Sequence, residues 1–164
     1  MLEIEIQQGD ITKVKADAIV YPSNSFAWMG GQSAITIKSE GGKIIEDQAV
    51  ERAPLEVGKP IATTSGNLPY KAVIHAPTME MPIGKALEYN VALSVRGALN
   101  FADDAEYKTI AMPGMGTGIG SFPKEEAAEI MINEIKEFNP INLEKVILID
   151  IDEKMVEAWR KEMK

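Results

Sequence analysis

Apolar and polar residues alternate along this chain with two periods, and the switch between them marks the elements. "LEIEIQ" near the start alternates strictly, which predicts a strand with one buried face. "DAIVY" predicts a second strand, and Gly30 to Glu40 a helix, followed by another over "GKIIEDQAVERA". "PIATTSG" and "KAVIHA" are two further strand candidates, joined by the turn-like "SGNLPY". From Gly84 to Ala105, Leu87, Val91, Val95, Ala98, Leu99 and Ala102 recur at helical spacing and give one apolar stripe. "KTIAMP" is a short buried-type strand. Pro123 suits a first helical turn, with Glu125 and Glu126 near the positive end of the helix dipole. Ala127, Ile130, Met131, Ile135 and Phe138 line that helix's inner face. "KVILIDI" predicts the last strand and "EKMVEAWRKEM" a closing helix.

Strands alternating with helices, and runs such as "VILI" that are apolar on both faces, predict a three-layer α/β/α domain with a largely parallel central sheet. In such sheets ligands sit where loops leave the carboxyl ends of strands. Three loops qualify: after "DAIVY", after "TIAMP" and after "VILIDI".

Composition narrows the chemistry. A chain of 164 residues is expected to form one domain over 1–164, and it contains no apolar stretch of membrane-spanning length. The N-terminus lacks a basic and an apolar signal region, so the expected compartment is the cytoplasm. Cysteine is absent, which removes disulfides, thiol catalysis and cysteine-based zinc sites. A net charge of −8 opposes long-range attraction to a nucleic acid backbone, while a small anion held by a few aimed amides remains allowed. The acid pairs at Asp103-Asp104 and around Asp150 to Asp152 fall at element ends, where solvated acids are ordinary, and no metal is assigned to them. No cofactor is called for. The oligomeric state is not encoded in any visible pattern.

The loop "PGMGTGIGSFP" leaves a strand and enters a helix, where free amides and the helix dipole meet an anion. It lacks the Gly-Lys-Ser/Thr of a triphosphate loop, and it comes too late in the chain for a dinucleotide fingerprint. Its plainer reading is a tight turn. The loop after "DAIVY" carries a second glycine pair, Gly30-Gly31, before a helix. Asn24 there is either a turn residue or a donor and acceptor for ribose hydroxyls. Trp28 and Met29 suit a pocket wall or simple burial. His75, the one histidine, reads more readily as a core or sheet-end imidazole than as a base.

Taken in order, "GDIT", "DAIVYPSNS", "MGG", "LPYKAVIHA" and "IAMPGMGTGIGSFP" resemble the macro domain family, which binds ADP-ribose and related metabolites. The resemblance runs from Gly9 through the final strand. It implies that Asp10 accepts from the adenine amino group with Ile11 beside it, and that Asn24 approaches the terminal ribose. Gly30 and Gly31 would lie near the diphosphate and terminal ribose. Gly116, Thr117, Gly118, Ile119 and Gly120 would form the second phosphate loop, with Phe122 the nearest aromatic to the terminal ribose. Ile151 takes the place of an adenine-stacking aromatic. Tyr21, Gln32 and Ser33 depart from the family pattern. The aspartate and histidine of the mono-ADP-ribosyl hydrolases fall on Ala34 and Lys38. Three functions follow as expectations: a binding module for ADP-ribose or a derivative, a hydrolase acting at the terminal ribose with Asn24 as the best catalytic candidate, or a macro fold that has lost ADP-ribose.

Overall fold

The computed structural model describes residues 1–81 and 86–164. Among the described residues six strands form one sheet: β1 (Glu3–Gln8), β2 (Ala18–Asn24), β3 (Ile61–Thr63), β4 (Ala72–Met79), β5 (Thr109–Met112) and β6 (Lys145–Asp150). Their order is β1-β6-β5-β2-β4-β3. All pairs are parallel except β3 with β4, so the sheet is mixed and largely parallel. The helices are α1 (Gln32–Gly41), α2 (Ile44–Glu51), α3 (Glu88–Asp104), α4 (Lys124–Glu137) and α5 (Glu153–Glu162). The expected start of α3 at Gly84 lies outside the described residues. Among the described residues no helix is long and apolar enough to cross a membrane.

The two-residue period of the strands divides the core into two layers. Ala18, Val20, Ile110, Met112, Val146 and Leu148 face α3, α4 and α5, where Val95, Leu99, Met131, Ile135 and Trp159 are almost fully buried. The alternate positions Ile19, Tyr21, Ala111, Ile147 and Ile149 face α1 and α2, against Ile37 and Ile45. The "VILI" run is therefore buried on both faces, as its composition required.

Two strands run further than the periodicity predicts. β2 continues through Pro22 to Asn24, and β4 through Pro77 to Met79. Proline is excluded from strands paired on both sides because it cannot donate to the ladder. At Pro22 the neighbour β5 has already ended, its pairing stopping at Ile19, and at Pro77 the neighbour β3 has ended at His75. Each proline thus keeps one neighbour only, and the extensions carry Ser23, Asn24, Thr78 and Met79 to the carboxyl edge.

Candidate functional site

A cleft of about 310 Å³ runs along the carboxyl edge of the sheet. Its floor follows the strand order. Gly9, Asp10 and Ile11 come from the end of β1, and Ile149 to Asp152 from the end of β6. The loop after β5 contributes Pro113, Gly114 and Gly116 to Gly120. Tyr21 to Asn24 come from β2, and Thr78 and Met79 from β4. The start of α1 adds Gly31, Gln32 and Ser33, with Thr36 one turn on, and the start of α4 adds Lys124. Of the residues singled out in the sequence, Asp10, Ile11, Asn24, Gly31, Gly116, Thr117, Gly118, Ile119 and Gly120 line this cleft, and Ile151 does too. Gly30 and Phe122 are not among the lining residues. Phe122 is packed into the core beside α3 and α4, its amide donating to the Gly116 carbonyl at 2.8 Å.

The Asp10 carboxylate is oriented before any ligand arrives. Its Oδ1 accepts from the Thr12 amide at 2.8 Å and the Thr12 hydroxyl at 2.6 Å, which caps a single 3₁₀ turn over Ile11–Lys13. The Tyr70 hydroxyl, within 2.9 Å of the Ile11 carbonyl and 2.6 Å of that of Val14, braces the same turn. Among the described residues Oδ2 accepts no hydrogen bond, so a carboxylate oxygen remains available at the cleft.

The loop after β5 is held by its own backbone. Gly116 has φ +79, a conformation that favours glycine, and a Cβ there would meet Val91 Cγ2 at 2.9 Å and Ala86 Cβ at 3.0 Å. Gly118 differs: a Cβ there meets nothing within 4 Å. Asp150 ties this loop to the last strand, its Oδ2 accepting from the Gly114 amide at 3.0 Å. Neither α1 nor α4 has a side-chain cap, so their first amides are free at the cleft.

The loop after β2 is built on bonds that the sequence did not advertise. Asn24 accepts from the Phe26 amide at 3.0 Å and donates to the Trp28 carbonyl at 2.9 Å, which is the work of a turn residue at the cleft wall. Glu46 of α2 accepts from the Met29 amide at 2.6 Å and lies 3.4 Å from Lys38 Nζ, anchoring the chain just before Gly30. Met29 is buried, whereas Trp28 stands half exposed with Phe26 against its edge.

Tyr21 is 4% exposed. Burial pushes its hydroxyl up to about 12; the Gly31 amide opposes this, the Glu46 charge adds to it, and the Gly30 amide opposes it as well. At neutral pH Tyr21 is a phenol supporting the Gly30-Gly31 loop from the sheet. His75 lies edge-on to it, ring centroids 6.0 Å apart. The imidazole is fully buried, its Nε2 2.9 Å from Thr63 Oγ1, and burial first, then the Arg52 charge, lowers its pKa to about 4. It is a neutral core histidine behind Tyr21 and is not itself among the residues lining the cleft.

The acid pairs are structural, but one is not solvated as expected. Asp103 is 7% exposed and its carboxylate accepts from the amides of Ile141, Asn142 and Leu143, fixing the approach to β6. Asp152 caps α5 through the Lys154 amide and pairs with Lys124 at 3.0 Å.

Fold and cleft together define a three-layer α/β protein with a glycine-lined binding cleft at the carboxyl edge of a mostly parallel sheet. The model of the Macro domain family matches residues 20–131, and the chain belongs to that family. A protein of Aquifex aeolicus is 53% identical over 160 residues, 98% of this chain and 97% of its own length. One from Aeropyrum pernix is 42% identical over 125 residues, and the match spans 76% of this chain but 66% of that protein. The solved macrodomain of Oceanobacillus iheyensis with ADP has a TM-score of 0.83 and 26% identity, covering 98% of this chain and 89% of that one.

Proposed function

We propose that this protein is a binding module for ADP-ribose or a close derivative. The observation that carries the reading is a match between two orders. Along the cleft floor the strands run β1, β6, β5, β2, and in the ligand the groups run adenine, ribose, diphosphate, ribose. At a strand spacing of about 4.8 Å the floor from β1 to β2 measures about 14 Å. Adenine then meets the free Oδ2 of Asp10 and the apolar Ile11 and Ile151. The diphosphate meets the amides of the Gly116–Gly120 loop, whose glycines let backbone approach closely. The terminal ribose reaches Asn24, Gln32, Ser33, Thr36 and Thr78. The related Oceanobacillus macrodomain was solved with ADP, which supports a ligand with an adenosine diphosphate part.

Tyr21 and Glu46 support this reading too, because they hold the altered first loop in place beside an open cleft. Binding is favoured over hydrolysis because the side chains at the terminal-ribose end are amides and hydroxyls, none of which titrates near neutral pH. Asn24, the best catalytic candidate, spends its carbonyl on the Phe26 amide and one N–H on the Trp28 carbonyl.

Hydrogen bonds to charged groups contribute roughly 1.5–3 kcal/mol each. A few of them with a buried adenine give micromolar affinity, about −8 kcal/mol. A thermal-shift panel of ADP-ribose, ADP, AMP and NAD tests the reading, since a ligand that binds only the folded state raises its stability. ADP-ribose is expected to raise the midpoint most; no shift with it at millimolar concentration contradicts the assignment.

A further inference from the structure

Beside the main cleft lies a second, more open groove of about 590 Å³ between the loop after β5 and the exposed face of α5. The two spaces share Thr117 and Lys124, so the groove opens off the cleft wall rather than standing apart from it. Its α5 wall consists of Lys154, Glu157, Ala158 and Lys161, residues at i, i+3, i+4 and i+7 that form one stripe of the helix. Ser121 adds a hydroxyl and Glu125 a second carboxylate. Three lysines and two glutamates line the groove, on a chain of net charge −8. Lys124 pairs with Asp152, whereas among the described residues neither Lys154 nor Lys161 has a carboxylate within 4 Å.

The strand order says which part of a ligand faces this opening. Asp152, partner of Lys124, follows β6, which lies between the Asp10 end of the cleft and the glycine loop of β5. On the reading above, that is the adenosine ribose. A substituent on its 2′ oxygen would leave the cleft past Lys124 and Thr117 and enter a lysine-walled space. We propose that this groove is an anionic subsite for a phosphate attached directly to the 2′ oxygen of the adenosine ribose. The proposal rests on the ADP-ribose reading of the main cleft and assigns Lys154 and Lys161 to contacts beyond it.

Calorimetric titration of ADP-ribose and ADP-ribose 2′-phosphate tests it. Two exposed ion pairs are expected to make a 2′-phosphorylated ligand bind about three- to tenfold tighter than ADP-ribose at low ionic strength. The gain should shrink as salt screens it. The double variant Lys154→Gln/Lys161→Gln should lose the gain and keep its affinity for ADP-ribose. Equal or weaker binding of the 2′-phosphorylated ligand, or a gain that survives the double variant, overturns the proposal. In that case ADP-ribose still binds, whereas its failure to bind the wild type would remove the main-cleft reading itself.

Discussion

Acidification should destabilise this protein through His75, and the size of the effect follows from its burial. The imidazole is fully buried, its Nδ1 has no partner among the described residues, and its pKa falls from 6.5 to about 4. Above pH 6.5 it is neutral in both the folded and unfolded chain and makes no difference to their balance. Between pH 6.5 and 4 the unfolded chain takes up a proton that the folded chain refuses, so unfolding becomes easier as pH falls. At 1.36 kcal/mol per pKa unit, this amounts to about 2 kcal/mol by pH 5 and about 3 kcal/mol by pH 4. Urea denaturation of the wild type and of His75→Gln at pH 7 and pH 5 isolates the effect. The variant is less stable at pH 7 because of altered packing, but the carboxylates titrate in both proteins and cancel in the comparison. The wild type should lose about 2 kcal/mol more than the variant over this interval. Parallel pH dependences would refute the assignment of His75 as a neutral core residue.

Other substitutions separate the site from the scaffold. Gly118→Leu places a side chain in open space, so its melting temperature should stay near that of the wild type while ADP-ribose affinity falls at least about tenfold; calorimetry beside a thermal melt reads both. Asp10→Ala should weaken ADP-ribose by about ten- to a hundredfold through loss of a charged hydrogen bond and narrow the preference for adenine over hypoxanthine ligands, measured by competition. Glu46→Ala removes the carboxylate that holds the Met29 amide, at a cost of roughly 1.5–3 kcal/mol. Hydrogen exchange should then rise first at residues 28 to 31; unchanged exchange there would show that the loop does not depend on this anchor.

The alternation of periods was enough to place every strand and helix, because each strand buries one parity on each side and each helix one stripe. Strand ends were less legible. Pro22 and Pro77 look like terminators, and only the sheet order reveals that each stands where a second neighbour has stopped. The glycine loops were visible as sequence because glycine has few other reasons to recur at such spacing before a helix. Their supports were not: Glu46 is one acid among several on α2, and nothing local says that its carboxylate meets the Met29 amide 17 residues earlier. Likewise Asp103 reads as an exposed acid until the residue 141–143 backbone closes over it. Tyr21 reads as a departure from a family pattern, while the fold makes it the phenol that backs the Gly30-Gly31 loop. Thr78 and Lys124 join the cleft through the extension of β4 and the start of α4. Applying the carboxyl-edge rule to every parallel strand would have pointed to Thr78.

The strand order β1, β6, β5, β2 is proposed to seat adenine, ribose, diphosphate and ribose in turn. Isothermal titration calorimetry with ADP-ribose measures this most directly, run on the wild type and on Gly118→Leu. One-to-one binding by the wild type is expected, with a dissociation constant on the order of micromolar, and it is lost in the variant. A flat titration of the wild type, or equal binding by the two proteins, would contradict it.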